Sequence, residues 1–139
     1  MENFLNNELA GIFERFVARF IDRLLAIIVA IGLFFILNNF KDSTFISIIL
    51  PILIPFSYLL FKDSLPFLKG QSIGKKLMKL KVIDASTGQG LTGKYGKTFI
   101  REIVQWIPLL NLVDFLMIFG GYTRQRLADK WVETQVIKE

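Results

Sequence analysis

The sequence predicts an all-α membrane protein with three hydrophobic helical segments, the third bent or re-entrant at Pro108, and a small cytoplasmic β element. Three observations support this prediction. Of the 139 residues, 53% are hydrophobic, the mean hydropathy is +0.48, and the apolar residues are concentrated in three runs. A soluble bundle of this size could not bury three helices that are apolar on every side. At this length one domain is expected, residues 1–139.

The composition excludes several classes of chemistry. The chain has no cysteine and no histidine, and 21% of its residues are charged. Disulfide frameworks, Cys/His zinc sites, Ser-His-Asp triads and cysteine nucleophiles are therefore excluded, and the charged fraction argues against disorder. Any proton chemistry must use carboxylates, Lys or Tyr. No cofactor or metal centre is expected. No nucleophile–base pair or cluster of metal ligands is found, so the sequence does not predict an enzyme.

The first apolar run, Leu24 to Leu37, is interrupted only by Gly32. Its 14 residues would rise about 21 Å as a helix, whereas a bilayer core is ~30 Å thick. A span therefore needs the flanking residues, and we predict helix 1 over residues 12–40. The late start, the charges before the run and the lack of a small-residue cleavage site argue against a cleaved signal peptide.

The second run, Phe45 to Phe61, predicts helix 2 over residues 45–61. It contains Pro51 and Pro55, each of which removes a helical hydrogen bond. The freed carbonyl groups could coordinate a small cation, as in broken transporter helices. Membrane helices also tolerate proline without such a role, so a simple kink is the favoured interpretation.

Residues 62–98 form a basic segment with eight lysines against two aspartates, a net charge of +6. The positive-inside rule places this loop in the cytoplasm, together with the N-terminus, and leaves a short outer hairpin at residues 38–44. Within the loop, residues 77–84 (LMKLKVID) alternate apolar and polar side chains and predict a strand, followed by a turn at residues 85–90. Residues 133–137 resemble a second strand, which could pair with the first if both are cytoplasmic.

The segment Gly70 to Lys76 (GQSIGKK) invites comparison with a phosphate-binding loop. Its glycines are one residue too close, and lysine stands where Ser or Thr is required, so nucleotide binding is rejected. We expect the loop lysines to contact anionic lipid headgroups instead. These lysines are Lys75, Lys76, Lys79 and Lys81. Nucleic acid is not an expected partner, because little aromatic interleaving accompanies the basic residues.

The third run, Ile103 to Phe119, belongs to helix 3, predicted over residues 99–119. Pro108 divides the run, and two glycines end it. One interpretation is a single span with the polar tail, residues 120–139, outside the cell. The other is a bent or re-entrant hairpin with the tail in the cytoplasm. Basic residues on both sides of the run favour the second.

Acidic residues close to or within the apolar runs are the candidate functional groups. Arg15, Arg19 and Asp22 share one face of helix 1, and either arginine could pair with Asp22. Two alternatives for Asp22 stay open. In the functional one it is part of an ion or proton pathway. In the structural one it is a buried ion pair that fixes helix packing, or a charge that reaches the membrane interface. Asp114 lies inside the third run with no basic residue within a helical turn. A proton-coupled carrier without histidine needs such a group; alternatively, the bend at Pro108 leaves it near water.

Three blocks of sequence resemble the RDD family of small bacterial membrane proteins. They are residues 10–25 (AGIFERFVARFIDRLL), 70–84 (GQSIGKKLMKLKVID) and 124–137 (RQRLADKWVETQVI). The resemblance implies that Arg15, Asp22 and Asp129 are the arginine and two aspartates for which the family is named, with Asp114 an additional carboxylate. The apolar stretch after Arg101 is shorter than is usual in the family, which does not support a fourth span.

The resemblance implies an inner-membrane protein and, from members that resemble sodium/proton antiporters, a transport function. We therefore expect a homo-oligomer that exchanges a monovalent cation for protons. The expected ions are Na⁺ and H⁺. The expected pathway residues are Asp22, Asp114, Arg15, Arg19 and Asp129. The alternative is a non-transporting accessory or assembly protein, whose basic loop docks a partner or anionic lipid.

Overall fold

The computed structural model describes residues 8–39, 44–120 and 125–139, which are mostly helical with a small two-stranded sheet, as predicted. The helices are α1 (Ile12–Asn38), α2 (Thr44–Phe61), α3 (Ile73–Leu77), α4 (Tyr95–Trp106), α5 (Pro108–Gly120) and α6 (Leu127–Trp131). A 3-10 turn covers Pro66–Leu68, and the strands are β1 (Leu80–Asp84) and β2 (Thr134–Lys138). The predicted outer hairpin at residues 38–44 falls largely on residues 40–43, which lie outside the described residues.

The hairpin of α1 and α2 packs through a narrow stripe on each helix. On α1 the buried residues are Arg15, Ala18, Asp22 and Ala26, at helical spacings of three and four. On α2 they include Ser47, Pro51 and Pro55, again four residues apart. Both prolines therefore lie within a continuous helix, on its packed face.

Side chains are distributed in the reverse of the pattern of a soluble protein. Among the described residues, more of the buried side chains are polar or charged than apolar. Large apolar side chains lie on the outside of the helices, such as Phe35 on α1 and Ile52 on α2, which are 66% and 65% exposed. The outer surface of the hairpin is therefore apolar, while charge is concentrated inside.

The third hydrophobic segment consists of two helices, α4 and α5, separated at Ile107. The backbone of Ile107 is extended, with φ −91° and ψ 112°, as expected for a residue before proline. Helix α4 begins at Tyr95 rather than at residue 99, which shortens the predicted loop of residues 62–98. Sequence hydropathy missed this start because the buried face of α4 contains Thr98, Arg101 and Glu102.

By length and hydropathy, one helix among the described residues could cross a membrane: α1, with a mean hydropathy of 2.5 over its most apolar part. A second candidate exists if Phe45–Phe61 and Pro66–Leu77, bent by 53°, count as one broken span. Helix α5 has 13 residues, which corresponds to about 20 Å. It is too short to cross a bilayer core by itself.

A small polar lobe is built around the sheet. Strands β1 and β2 pair antiparallel, from Leu80 opposite Lys138 to Asp84 opposite Thr134. The first strand was predicted to begin at residue 77, but β1 begins at Leu80. Leu77 belongs instead to α3, a helix whose N-terminus is capped by Ser72. The predicted second strand is one residue early, since Glu133 adopts a left-handed conformation with φ 54°. The lobe joins α1 through an apolar cluster of Ala10, Ala18, Leu80, Val82, Leu91 and Val136.

Asp84, at the end of β1, anchors the turn after the strand to the start of α4. Its carboxylate accepts hydrogen bonds from Lys94 Nζ at 2.7 Å and Lys97 Nζ at 2.8 Å, and from the backbone N–H of Ser86 at 3.0 Å. Burial by itself would raise the pKa of Asp84, but the bonds from Lys94, Lys97 and Ser86 hold it well below its usual range.

Asp84→Asn is expected to destabilise the protein by about 1–3 kcal/mol near neutral pH. The folded-state pKa of Asp84 is depressed, so its stabilisation is complete above about pH 4, the unfolded value. It is lost as the pH falls further toward the folded-state pKa. Thermal unfolding of both proteins between about pH 7 and pH 3 should therefore show a melting difference that narrows toward acid. A constant difference across that range would contradict the assignment.

Candidate functional site

Charged side chains from α1, α4, α5, α6 and the segments around α3 meet where the helices join the polar lobe. We call this set the charged core. Its members are Asp22, Lys62, Asp63, Lys75, Arg101, Glu102, Asp114, Arg126 and Asp129, all buried. Buried charges are costly unless they are paired and hydrogen-bonded, so the pairing pattern decides what this core can do.

Asp22 binds the start of α3. Its Oδ1 accepts hydrogen bonds from the backbone N–H of Gly74 at 2.7 Å and from the hydroxyl of Tyr58 at 3.3 Å. Its Oδ2 lies 3.7 Å from Lys62 Nζ. The sequence predicted Arg15 or Arg19 as the partner of Asp22. The structure corrects this: Lys62 occupies that place because the antiparallel hairpin brings the end of α2 beside the first turns of α1.

Asp114 plays the same part for α6. Its Oδ1 accepts a hydrogen bond from the backbone N–H of Ala128 at 3.1 Å, and its Oδ2 lies 3.8 Å from Arg126 Nη1. No basic residue lies within a helical turn of Asp114 along α5, but Arg126, twelve residues further along the chain, folds back against it. Gly74 and Ala128 are each the second residue of a five-residue helix, so both predicted carboxylates supply a missing N-terminal hydrogen bond acceptor.

Asp129 belongs to a chain of ion pairs that crosses the core. Arg101 Nε donates to Asp129 Oδ1 at 2.8 Å, and Arg101 Nη1 lies 3.4 Å from Asp63 Oδ2. Asp63 also pairs with Lys75. Burial by itself would raise the pKa of Asp63, but the positive charges of Lys75 and Arg101 hold it below its usual value. Arg101 therefore links the polar tail to the end of α2.

Lys62 lies between two carboxylates. Its Nζ is 3.7 Å from Asp22 Oδ2 and 3.4 Å from Glu102 Oε2. Asp22 Oδ2 has no hydrogen bond partner within the described part of the chain. Glu102 and Asp22 thus share one ammonium group at distances longer than a close, direct hydrogen bond.

The two predicted arginines of α1 differ in their surroundings. Arg15 is buried, and its Nη2 donates to the carbonyl oxygen of Val136 in β2 at 3.1 Å. Arg19 makes no hydrogen bond and no ion pair within 4 Å with the described residues, although it lines a small central cavity of about 20 Å³ with Arg101 and Arg126. That volume holds about one water molecule.

The four lysines predicted to contact lipid headgroups are divided by the fold. Lys75 is buried against Asp63, so its predicted contact with headgroups is wrong. The side chain points inward because α3 packs its second and third residues against α1 and the end of α2. Lys76 and Lys79 are exposed, and Lys81 is partly exposed.

Five members of the charged core were not singled out from the sequence: Lys62, Asp63, Arg101, Glu102 and Arg126. The charged pair in α4 could have been found, because Thr98, Arg101 and Glu102 recur at helical spacings of three and four and so share one face of the helix. Within residues 8–39, 44–120 and 125–139, no three acidic side chains converge as metal ligands would.

The chain is similar to a known protein family and to two mycobacterial proteins. The sequence profile of the RDD family matches residues 9–133. The proline-rich antigen homolog of Mycobacterium tuberculosis (strain ATCC 25618 / H37Rv) is 36% identical over 66 residues, covering 47% of this chain and 27% of that protein. The proline-rich antigen of Mycobacterium leprae (strain TN) is also 36% identical over 66 residues, covering 47% and 26%. The matched region is thus about a quarter of each mycobacterial protein. No solved structure matches the chain.

Proposed function

Since this chain belongs to the RDD family, whose members are membrane-associated, we propose that it is a multi-pass protein of the bacterial cytoplasmic membrane. We further propose a transport-type function, the exchange of a monovalent cation for protons. The membrane proposal is supported by the apolar outer surface of α1 and α2 and by the hydropathy of α1. Water would be a poor solvent for that surface, whereas lipid is a good one.

The proposed topology places the polar lobe in the cytoplasm. The lobe contains the lysine-rich segment, and the antiparallel pairing of β1 with β2 brings the polar tail to the same side. Residues 8–10 also run beside β2, where the Ala10 N–H donates to the Val136 carbonyl oxygen at 3.2 Å. The N-terminus, the basic loop and the tail are then all cytoplasmic, in accord with the positive-inside rule.

One observation carries the transport proposal: Asp22 and Asp114 are 0% and 1% exposed, yet both belong to apolar helices. Each carboxylate stabilises the N-terminus of a short helix in the lobe, where negative charge is favoured. Protonation of either carboxyl group would remove that charge and weaken its hold on α3 or α6. Proton binding would thereby change how the lobe sits against the apolar helices.

Lys62 provides the second half of the proposed exchange. Its ammonium group is shared between Asp22 and Glu102 without a short bond to either. A small monovalent cation could replace the ammonium group between the same oxygens, since carboxylate oxygens are suitable ligands for hard cations. Protonation of Asp22 would then release that cation. The described residues of one chain contain too few full-length spans to enclose a pathway, so we propose a homo-oligomer as the transporting form.

Asp22→Asn and Asp114→Asn are each expected to lower cation-dependent proton movement by at least about tenfold. The measurement is the pH change on adding NaCl or KCl to energised everted vesicles that contain equal amounts of each protein. Asp84→Asn is the matched control, because it removes a buried, ion-paired carboxylate in β1 that does not belong to the charged core.

Elution of every variant as a single species in detergent is required before its flux is interpreted. Wild-type flux in both Asp22→Asn and Asp114→Asn would contradict the exchange mechanism. Loss of flux in Asp84→Asn to the same degree would show that general destabilisation explains the effect.

A second candidate function is supported by the surface of α3. Ile73, Lys76 and Leu77 lie at helical spacings of three and four, and all are exposed. Such a basic, apolar face suits docking to an anionic lipid surface or to a cytoplasmic partner. If the protein has an accessory or assembly role, no cation flux is expected in the vesicle experiment. Replacing Lys76 and Lys79 by glutamate should then abolish its biological function.

A further inference from the structure

A groove runs between the first half of α1 and the start of α5. Its volume is about 490 Å³. The apolar wall is formed by Phe16 and Phe20 of α1 and by Pro108 and Leu112 of α5. Phe16, Phe20 and Leu112 are 62%, 59% and 58% exposed, so the described residues leave this wall largely uncovered.

Two arginines lie in the same groove, four residues apart on one face of α1. They are Arg19 and Arg23, and Asn111 of α5 lies with them. Neither arginine makes a hydrogen bond or an ion pair within 4 Å with the described residues, and no carboxylate lines the groove. Arg19 also reaches the central cavity, where Glu102 and Asp129 attract it from beyond 4 Å, whereas Arg23 is exposed to solvent. By contrast, Lys62, Lys75, Arg101 and Arg126 in the charged core all lie within 4 Å of a carboxylate.

The position of these arginines along α1 is informative. Arg23 directly precedes the uninterrupted apolar stretch that begins at Leu24, so it marks the boundary between polar lobe and apolar helix. Phospholipid phosphates lie at this depth in a bilayer, with the acyl chains beyond them. Guanidinium groups bind phosphate oxygens through paired, charge-assisted hydrogen bonds.

We propose that the groove between α1 and α5 is a binding site for an anionic phospholipid. The phosphate binds Arg19 and Arg23, and the glycerol end of the lipid lies against Phe16, Phe20 and Leu112. The acyl chains extend along α1 beyond Leu24. Charge complementarity identifies the head group, and the apolar wall beside it favours a lipid over a free phosphate ion. The site rests on the proposed membrane insertion and is independent of cation exchange. It also differs from the exposed lysines of the lobe, which offer charge without a groove.

The test is lipid binding to the full chain purified in a non-ionic detergent, measured by native mass spectrometry. Phosphatidylglycerol is titrated against phosphatidylcholine of the same acyl length and against inorganic phosphate. We expect phosphatidylglycerol to bind at least about tenfold more tightly than either competitor. Arg23→Gln, which removes an exposed charge, should weaken phosphatidylglycerol binding about tenfold.

Two further variants separate the groove from general charge. Leu112→Trp fills the groove without changing charge and should weaken phosphatidylglycerol binding to a similar degree. The control, Lys69→Gln with Lys130→Gln, removes two exposed lysines of the lobe and should leave binding unchanged. Equal binding of phosphatidylcholine, binding of inorganic phosphate as tight as that of the lipid, or unchanged binding in Arg23→Gln or Leu112→Trp would each overturn the proposal. Because no flux is measured, failure here leaves the exchange proposal standing.

Discussion

Gly74→Ala is expected to destabilise the protein by about 3 kcal/mol or more, the upper range for overpacking a tight contact. A Cβ atom at this position would lie 1.9 Å from the carbonyl oxygen of Ala18 and 3.0 Å from Asp22 Oδ1. Both atoms belong to α1, and the first is backbone, so the clash cannot be relieved by rotating a side chain. The variant must therefore separate α3 from α1.

That separation would also break the hydrogen bond from the Gly74 N–H to Asp22, which leaves a buried carboxylate with fewer donors. The measurement is the apparent melting temperature of the detergent-purified protein, together with the fraction that elutes as a single species. We expect a large loss in both.

Gly96→Ala is the matched control. Gly96 lies in α4, and an added Cβ would meet no atom within 4 Å among the described residues. Alanine has the higher helix propensity, so this variant should be neutral or more stable by up to about 1 kcal/mol. If the Gly74→Ala variant has the same melting temperature as the Gly96→Ala variant, the close approach of α3 to α1 is incorrect.

The second large effect is expected from Arg101→Met, at about 3–5 kcal/mol, the range for removing one partner of a buried ion pair. Arg101 bridges Asp129 and Asp63. Its loss leaves Asp129 without its bridging cation, and Lys75 is then the one cation within 4 Å of Asp63 among the described residues. Methionine keeps most of the side-chain volume, which separates the loss of charge from the creation of a cavity.

A double-mutant cycle tests this pairing. Arg101→Met with Asp129→Asn removes both charges, so the double variant should be more stable than the sum of the two single effects predicts, by at least about 1 kcal/mol. Lys97→Met is the control on the same helix, because Lys97 shares Asp84 with Lys94 at a partly exposed position. It should cost about 1 kcal/mol or less. If the losses of stability in Arg101→Met and Asp129→Asn simply add up in the double variant, the ion pair between Arg101 and Asp129 is contradicted.

The mostly helical fold, the bend at Pro108 and the two strands follow from local properties of the chain. Hydropathy runs, a proline that restricts the residue before it, and the alternation of LMKLKVID act over a few residues, so they can be recognised without knowing the fold. Of the two interpretations of the third run, charge patterning favoured the one in which the basic segment and the tail share a side, and β1 pairs directly with β2. The apolar stretches of α1 and α2 are determined in the same way.

The partners of the charged residues were decided by tertiary structure alone. Asp22 binds Gly74 and approaches Lys62, residues 52 and 40 positions away, because the α1–α2 hairpin and the fold of α3 bring them together. Lys75 is buried while its neighbour Lys76 is exposed, a difference that depends on which face of α3 packs inward. Side-chain pairing at such separations depends on the relative orientation of whole elements, and hydropathy and local spacing contain no information about that orientation.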